Sequence, residues 1–145
     1  MSKVRSLKND LEFGLSKEEP VRQLMKSIFT DEEDIINTKD LYNDEYCKFD
    51  YEGTTIKRRY EVKSRTTTKH KYPTTIIPVH KINKETTKNG LCLIFNFTDK
   101  CSYIMYDPEL FKTFKTKMMK IFRDGKYDNP CLHYEIPIGN LIDMN

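Results

Sequence analysis

The sequence predicts a single α/β domain built around one mixed β-sheet, and three observations support this fold class. The chain has 145 residues, a length that suits one hydrophobic core. Its apolar residues recur at helical spacing in two segments and form short, branched runs in the segments between them. The predicted order is helix, three strands, hairpin, helix, strand, which is typical of a sheet flanked by helices. We expect a lead-in over residues 1–16 and the domain over 17–145.

The first helix is predicted over residues 17–30. Ser16 can cap it, and Glu18 and Glu19 lie in the first turn, where the helix dipole favours acidic side chains. An amphipathic stripe then follows at spacings of three and four, formed by Val21, Leu24, Met25, Ile28 and Phe29.

Three strands are predicted next, over residues 46–51, 55–66 and 74–82. Glu52 and Gly53 give a turn signal between the first two. The third is rich in branched residues, and Pro78 places it at a sheet edge or a bulge because proline cannot donate to the ladder.

The second half of the chain begins with a predicted hairpin, formed by residues 91–97 and 102–106. An amphipathic helix is predicted over 108–123, with Asp107 as its cap, Pro108 in its first position and Gly125 as its stop. We expect the lysines on one side of this helix to be solvated and its aromatic stripe to be core. A strand over 133–138 follows, and residues 139–144 form at most one helical turn.

Composition excludes several classes of protein. Glycine and proline total eleven residues, too few for a collagen-like or disordered chain, and no 18-residue apolar run could span a membrane. Met1 to Asn9 precede no apolar run, so we expect an intracellular protein that is not secreted. The four cysteines are widely spread and are interpreted as reduced thiols. A zinc site formed by a cysteine with His70, His80 and His133 remains an alternative, without paired ligand spacing to favour it.

Charge is distributed unevenly along the chain. Residues 54–88 hold ten Lys or Arg against two Glu, a balance of +8, whereas the whole chain carries +3, which leaves −5 for the rest. Nine acidic residues lie between Asp31 and Glu52. This asymmetry is typical of a surface that binds a polyanion, nucleic acid first, and a solvated basic loop is the alternative.

Asp50, Glu61 and Lys63 are the candidate site. Residues two apart in a strand project from the same face, so Glu61 and Lys63 share one side of it. Carboxylates hold a hard cation that activates water, and a lysine stabilises charge developing on a phosphate. A two-residue turn would place Asp50 too far from Glu61. We therefore predict a wider loop over 53–56, which pairs Asp50 with Arg59 and places it diagonal to Glu61.

These segments resemble a known superfamily. Phe49-Asp50 is followed by Y-E-V-K-S-R at 60–65, T-I-I-P-V-H-K-I at 75–82, L-I-F-N-F-T-D, Y-I-M-Y and a closing Y-E-I-P-I-G-N-L-I. The order resembles the PD-(D/E)XK nuclease-like superfamily, most of all its small phage and large-DNA-virus members, over roughly residues 17–142. Phe49 stands where the literal motif has proline.

The resemblance implies a restriction-endonuclease-like fold and a nuclease that depends on Mg²⁺ or Mn²⁺. Asp50 and Glu61 would be metal ligands, with Glu18 or Glu19 as the acid of the first helix. Lys63 would be the catalytic lysine and Lys81 an additional basic position.

The expected activity is cleavage of phosphodiester bonds, of DNA rather than RNA, in viral or phage DNA processing. Arg65, Lys69 and Lys71, in the threonine-rich loop after the site, are candidate phosphate contacts. Two alternatives stay open, an inactive nucleic-acid-binding module of the same fold and a virion structural or interaction protein. The sequence leaves the oligomeric state undetermined.

Overall fold

The protein is described here from a computed structural model, which covers residues 19–43, 48–123, 125–127 and 129–145. The predicted lead-in, Ser16, Glu18 and residues 46 and 47 of the strand predicted over 46–51 lie outside these residues. The rest of that prediction is wrong for residues 48–50, which precede a strand that begins only at Tyr51. Within them, no helix has the length and hydropathy needed to cross a membrane.

The described residues form short strands, three helices and two 3-10 turns. The helices are α1 (19–28), α2 (Thr38–Tyr42) and α3 (Pro108–Phe111), with 3-10 turns at Val79–Lys81 and Ile138–Asn140. The strands are β1 (Ile35–Asn37), β2 (Tyr51–Gly53), β3 (Arg59–Ser64), β4 (Thr74–Pro78), β5 (Leu91–Asn96), β6 (Cys101–Met105), β7 (Lys115–Met119), β8 (Phe122–Arg123), β9 (Lys126–Tyr127), β10 (Cys131–Pro137) and β11 (Ile142–Asp143).

A mixed six-stranded sheet forms the centre of the molecule, in the order β1-β2-β3-β5-β6-β11. β3 and β5 run parallel, and the other neighbours in this sheet are antiparallel. The hairpin predicted around residues 98–100 joins β5 to β6. The chain is a small single domain of mixed α/β class, as the sequence predicts.

The two faces of this sheet bury separate apolar clusters. One face packs against α1: Val21 and Met25 of the helix, and Phe29 just after it, lie in one buried cluster with Tyr60 and Ile94 of the sheet. Leu24 packs partly buried against the same cluster and Ile28 is exposed, so the predicted amphipathic stripe is confirmed except at Ile28. The opposite face carries Leu91, Leu93 and Phe95 of β5, which pack with Ile77, Phe111 and Ile136 from the second half of the chain. β5, a central strand of the large sheet, is therefore buried on both faces.

A three-stranded antiparallel sheet, in the order β4-β10-β7, covers the second face. Pro78 lies in β4, an edge strand of this sheet, as its missing N–H predicts. β7 and β4 both pair with β10, so β10 is the central strand.

The helix predicted over 108–123 is wrong beyond its first turn. Asp107 caps α3 through a bond from the N–H of Glu109, and Pro108 follows the cap as expected. The helix ends at Phe111, and the chain then enters β7. The branched Thr113 and Thr116 weaken a helix here, and the edge of β10 offers five residues of pairing that an isolated helix would forgo. The sequence pattern could not reveal this partner.

Smaller differences occur at strand ends. β3 and β4 are shorter than the strands predicted over 55–66 and 74–82, and residues 79–81 form a 3-10 turn instead of strand. The predicted turn residues Glu52 and Gly53 belong to β2. Residues 139–144 form a 3-10 turn followed by β11.

The loop between β2 and β3 covers residues 54–58 and is wider than the two-residue alternative, as predicted. The predicted pairing of Asp50 with Arg59 is wrong, because Arg59 pairs with Glu52 and Tyr60 with Tyr51. The cause is Glu32, a buried carboxylate that accepts bonds from the backbone N–H groups of Thr55 (3.0 Å), Ile56 (2.5 Å) and Arg58 (3.1 Å). Glu32 thereby fixes the loop and shifts the register by two residues.

Candidate metal and phosphate site

β3 carries alternate residues on opposite faces of the sheet. Tyr60 lies on the α1 side and is fully buried, so Glu61 and Lys63 face the small sheet. Glu61 is 6% exposed. An acidic side chain in such a position requires a charged or polar partner.

Asp50 lies beside Glu61 because it extends β2 along β3. Its N–H donates to the carbonyl of Tyr60 (2.9 Å), and its Oδ2 accepts from the N–H of Val62 (2.8 Å). These two bonds, on either side of residue 61, place Asp50 beside Glu61. The structure thus brings the two predicted ligands together more directly than the predicted diagonal register would.

Two lysines reach the same oxygen of Glu61. The Nζ of Lys63 lies 3.3 Å from Glu61 Oε1, and the Nζ of Lys81 lies 3.7 Å from it. Lys81 comes from the 3-10 turn after β4, so a residue 20 positions away in sequence completes the group. We call Asp50, Glu61, Lys63 and Lys81 the carboxylate–lysine cluster.

The environment of the cluster raises the pKa of both acids. Burial raises the pKa of Asp50 above its ordinary value, against the opposing effects of the Val62 N–H and the nearby lysines. Burial, followed by the charge of Asp50, raises the pKa of Glu61, and Lys63 and Lys81 partly offset this. Buried carboxylates with raised pKa values cluster at functional sites, although structural ion pairs also show them.

A second buried ion pair adjoins the cluster and was not singled out from the sequence. The Nε of Arg59 lies 3.6 Å from Glu52 Oε1, the Arg59 guanidinium covers the ring of Phe49 at 4.5 Å, and the Tyr42 hydroxyl donates to Glu52. Strand alternation could have found this pair, since Glu52 and Arg59 are each two residues from a member of the cluster.

Glu19, one of the two acids expected from the first helix, does not join the cluster. Glu18 lies outside the described residues. Glu19 is exposed and accepts bonds from Gln23 (2.7 Å) and Arg22 (3.2 Å) of its own helix. α1 packs against the face opposite to Glu61, so the sheet itself separates Glu19 from Asp50 and Glu61.

Two of the three candidate phosphate contacts have internal partners. The guanidinium of Arg65 donates to Thr75 Oγ1 (3.2 Å) and to the carbonyl of Ile76 (2.6 Å). Lys69 is buried, and its Nζ lies 2.6 Å from Asp143 Oδ1. Lys71 is exposed. Arg65 and Lys69 therefore connect the threonine-rich loop to the rest of the fold.

The donor chemistry of the cluster fits a small divalent cation. Across the described ranges, no three His, Cys, Asp or Glu side chains come together as a metal-binding group. Mg²⁺ is commonly held by one or two carboxylates, with waters and substrate phosphates completing its shell, and Asp50 and Glu61 could supply those two. The zinc alternative gains no support from the described residues, since His70 and His80 are exposed and His133 lies near one described cysteine, Cys131.

Comparisons with family models, with curated proteins and with solved structures find no match. The superfamily resemblance therefore rests on the motifs of the sequence, and the function must be argued from the geometry of the site.

Proposed function

We propose that the protein is a metal-dependent nuclease that cleaves phosphodiester bonds, DNA being the expected substrate, with the carboxylate–lysine cluster as its active site. The observation that carries the proposal is the convergence of Asp50, Glu61, Lys63 and Lys81, from three separate segments, at one partly buried point. A purely structural ion pair needs one acid and one base. Here a second acid is held next to the first, at an electrostatic cost that a bound cation relieves.

The acids and the lysines of the cluster would have different roles in the reaction. Asp50 and Glu61 would hold Mg²⁺ or Mn²⁺ through carboxylate oxygens. The ion, when bound, supplies a water activated for attack and a positive charge beside the phosphate. Lys63 and Lys81 are partly exposed and place two ammonium groups where negative charge grows on the phosphate during cleavage. The bond between the Val62 N–H and Asp50 keeps that carboxylate in position.

The test is cleavage of supercoiled plasmid and of circular single-stranded DNA with Mn²⁺ or Mg²⁺. We expect the wild type to cut at least one of them, and Lys63→Ala and Glu61→Gln to lower the rate by about 10²-fold or more. Lys84→Ala removes an exposed lysine of the same basic segment and should stay within about twofold of the wild type.

Two results would overturn the proposal. Equal cutting by the wild type and Lys63→Ala would assign the activity to a contaminant. The absence of cutting by folded wild-type protein would leave a binding module or a structural protein, and a steep fall of DNA affinity with salt would identify the former.

A further inference from the structure

The outer face of the small sheet forms the floor of a groove that begins at the carboxylate–lysine cluster. Directly paired residues share a face, so Pro78 lies beside His133 and Ile76 beside Glu135 on this floor. Two cavities, of about 520 and 570 Å³, lie along it. Both include Arg65 and Ile76 in their linings, so the two cavities are neighbours, and we call them together the groove.

The two ends of the groove are defined by different segments. The first cavity meets the cluster at Lys63 and Lys81, and its lining also includes Ile121 and Cys131. The second cavity is lined in part by the threonines of residues 66–68 and includes no residue of the cluster. A ligand lying in the groove would therefore extend away from the cluster along the small sheet.

Charge along the groove favours an anionic ligand. Lys63, Lys81 and Arg65 line the first cavity, and Arg65 and the exposed Lys117 line the second. Glu135 is the one carboxylate among the described lining residues. A polyanion is thus electrostatically complementary to the whole length of the groove.

The second cavity is also apolar, and this decides which polyanion fits. Its lining includes the rings of Tyr72 and Phe97 and the side chains of Met119 and Ile138. Tyr72 is 58% exposed. A duplex stacks its bases internally and presents sugar and phosphate to a protein groove. A single strand can place unstacked bases against aromatic and apolar side chains while its phosphates contact cations.

We propose that the groove binds single-stranded nucleic acid, with bases against Tyr72 and Met119 and the backbone along Lys117, and that it leads the strand to the carboxylate–lysine cluster. The second part of this statement rests on the proposed nuclease function. The binding itself does not, because it requires neither the metal nor turnover.

Fluorescence anisotropy in EDTA tests the binding separately from cleavage. The probes are a fluorescein-labelled oligothymidine of about 12 nucleotides and a labelled duplex of the same length. We expect the single strand to bind about tenfold more tightly than the duplex at equal salt. Tyr72→Ala should weaken its binding about tenfold, whereas Tyr72→Phe keeps the ring and the affinity. Lys117→Ala should weaken it about threefold and reduce the salt slope by about 0.7.

Lys112→Ala is the matched control for the lost charge. Lys112 lies 3.1 Å from Glu109 at the end of α3, and its removal should change the affinity less than twofold. Tyr72, Lys117 and Lys112 are all exposed, so thermal unfolding should be unchanged in these variants.

The outcomes separate the two proposals. Equal affinity for the duplex and the single strand would overturn the proposal that the groove binds single-stranded nucleic acid, even if DNA is cut. Unchanged binding in both Tyr72→Ala and Lys117→Ala would do the same. If the single strand binds and the two variants lose affinity as expected, but neither DNA is cleaved, the binding proposal stands and the nuclease proposal is overturned.

Discussion

The Glu32 carboxylate packs so closely against Gly53 that no side chain fits at position 53. A Cβ placed on Gly53 would lie 1.5 Å from Glu32 Oε2. That carboxylate holds the N–H groups of residues 55, 56 and 58, so this close approach sets the β2–β3 loop and the position of Asp50 beside Glu61.

Gly53→Ala should destabilise the protein by about 2–3 kcal/mol, because the Glu32 carboxylate must leave its position and abandon buried N–H groups. Urea unfolding measures the change. Gly139→Ala is the control, since no atom lies within 4 Å of its added Cβ, and should stay within about 0.5 kcal/mol of the wild type. A Gly53→Ala cost that is unchanged in a Glu32→Ala background would contradict the assigned contact.

Asp50→Asn should be at least as stable as the wild type in EDTA at pH 7. Burial raises the pKa of Asp50, so the folded protein favours the uncharged form that asparagine mimics, and the side-chain oxygen can still accept from Val62. Thermal unfolding measures this. Marked destabilisation of Asp50→Asn would indicate that the negative charge of Asp50 stabilises the fold.

Millimolar Mn²⁺ should raise the midpoint of wild-type unfolding by several degrees, because an ion that binds only the folded state stabilises it. Asp50→Asn should lose this response, whereas Glu109→Gln, which removes an exposed acid on α3, should keep it. An equal response in all three proteins would point to nonspecific binding of the ion.

Acid stability should depend on the pair formed by Lys69 and Asp143. The Lys69 ammonium, then the Ser102 hydroxyl, holds the pKa of Asp143 below its ordinary value. The contribution of the pair to stability is therefore complete above about pH 4, the pKa of Asp143 in the unfolded chain. It is lost as the pH falls through the lower pKa of Asp143 in the folded protein. The carboxylate is partly exposed, so we expect a difference below about 1 kcal/mol.

Urea midpoints between about pH 5 and pH 2 test this dependence. Lys69→Met should show a shallower acid decline than the wild type. Lys71→Met, which alters an exposed lysine of the same loop, should follow the wild type. If the urea midpoints of all three proteins fall in parallel with pH, the pair of Lys69 and Asp143 does not contribute to the acid dependence of stability.

Arg65→Lys should cost about 1–2 kcal/mol of stability, because an ammonium cannot reproduce the bonds of the guanidinium to Thr75 and Ile76 on the edge of β4. Lys71→Ala should be neutral within about 0.5 kcal/mol. If Arg65→Lys unfolds like the wild type but binds single-stranded DNA poorly, Arg65 is a phosphate contact, as the sequence suggested, and its role in the fold is minor.

The sequence by itself determined the local features of this protein. Alternation along β3 placed Glu61 and Lys63 on one face, Asp107 and Pro108 began a helix, and the apolar stripe of α1 identified its buried side. Each of these depends on residues a few positions apart, where backbone geometry alone decides which side chains are neighbours.

Only the tertiary structure decided the rest. Glu32, more than 20 positions from the loop that it binds, set the register of Asp50. Pairing with the edge of β10 made a strand, β7, of a segment whose pattern predicts a helix. Lys81 contacts Glu61 from another segment, and Lys69 forms an ion pair with Asp143. These outcomes depend on which distant groups supply a hydrogen bond or an opposite charge, and no periodicity within a segment encodes its partner.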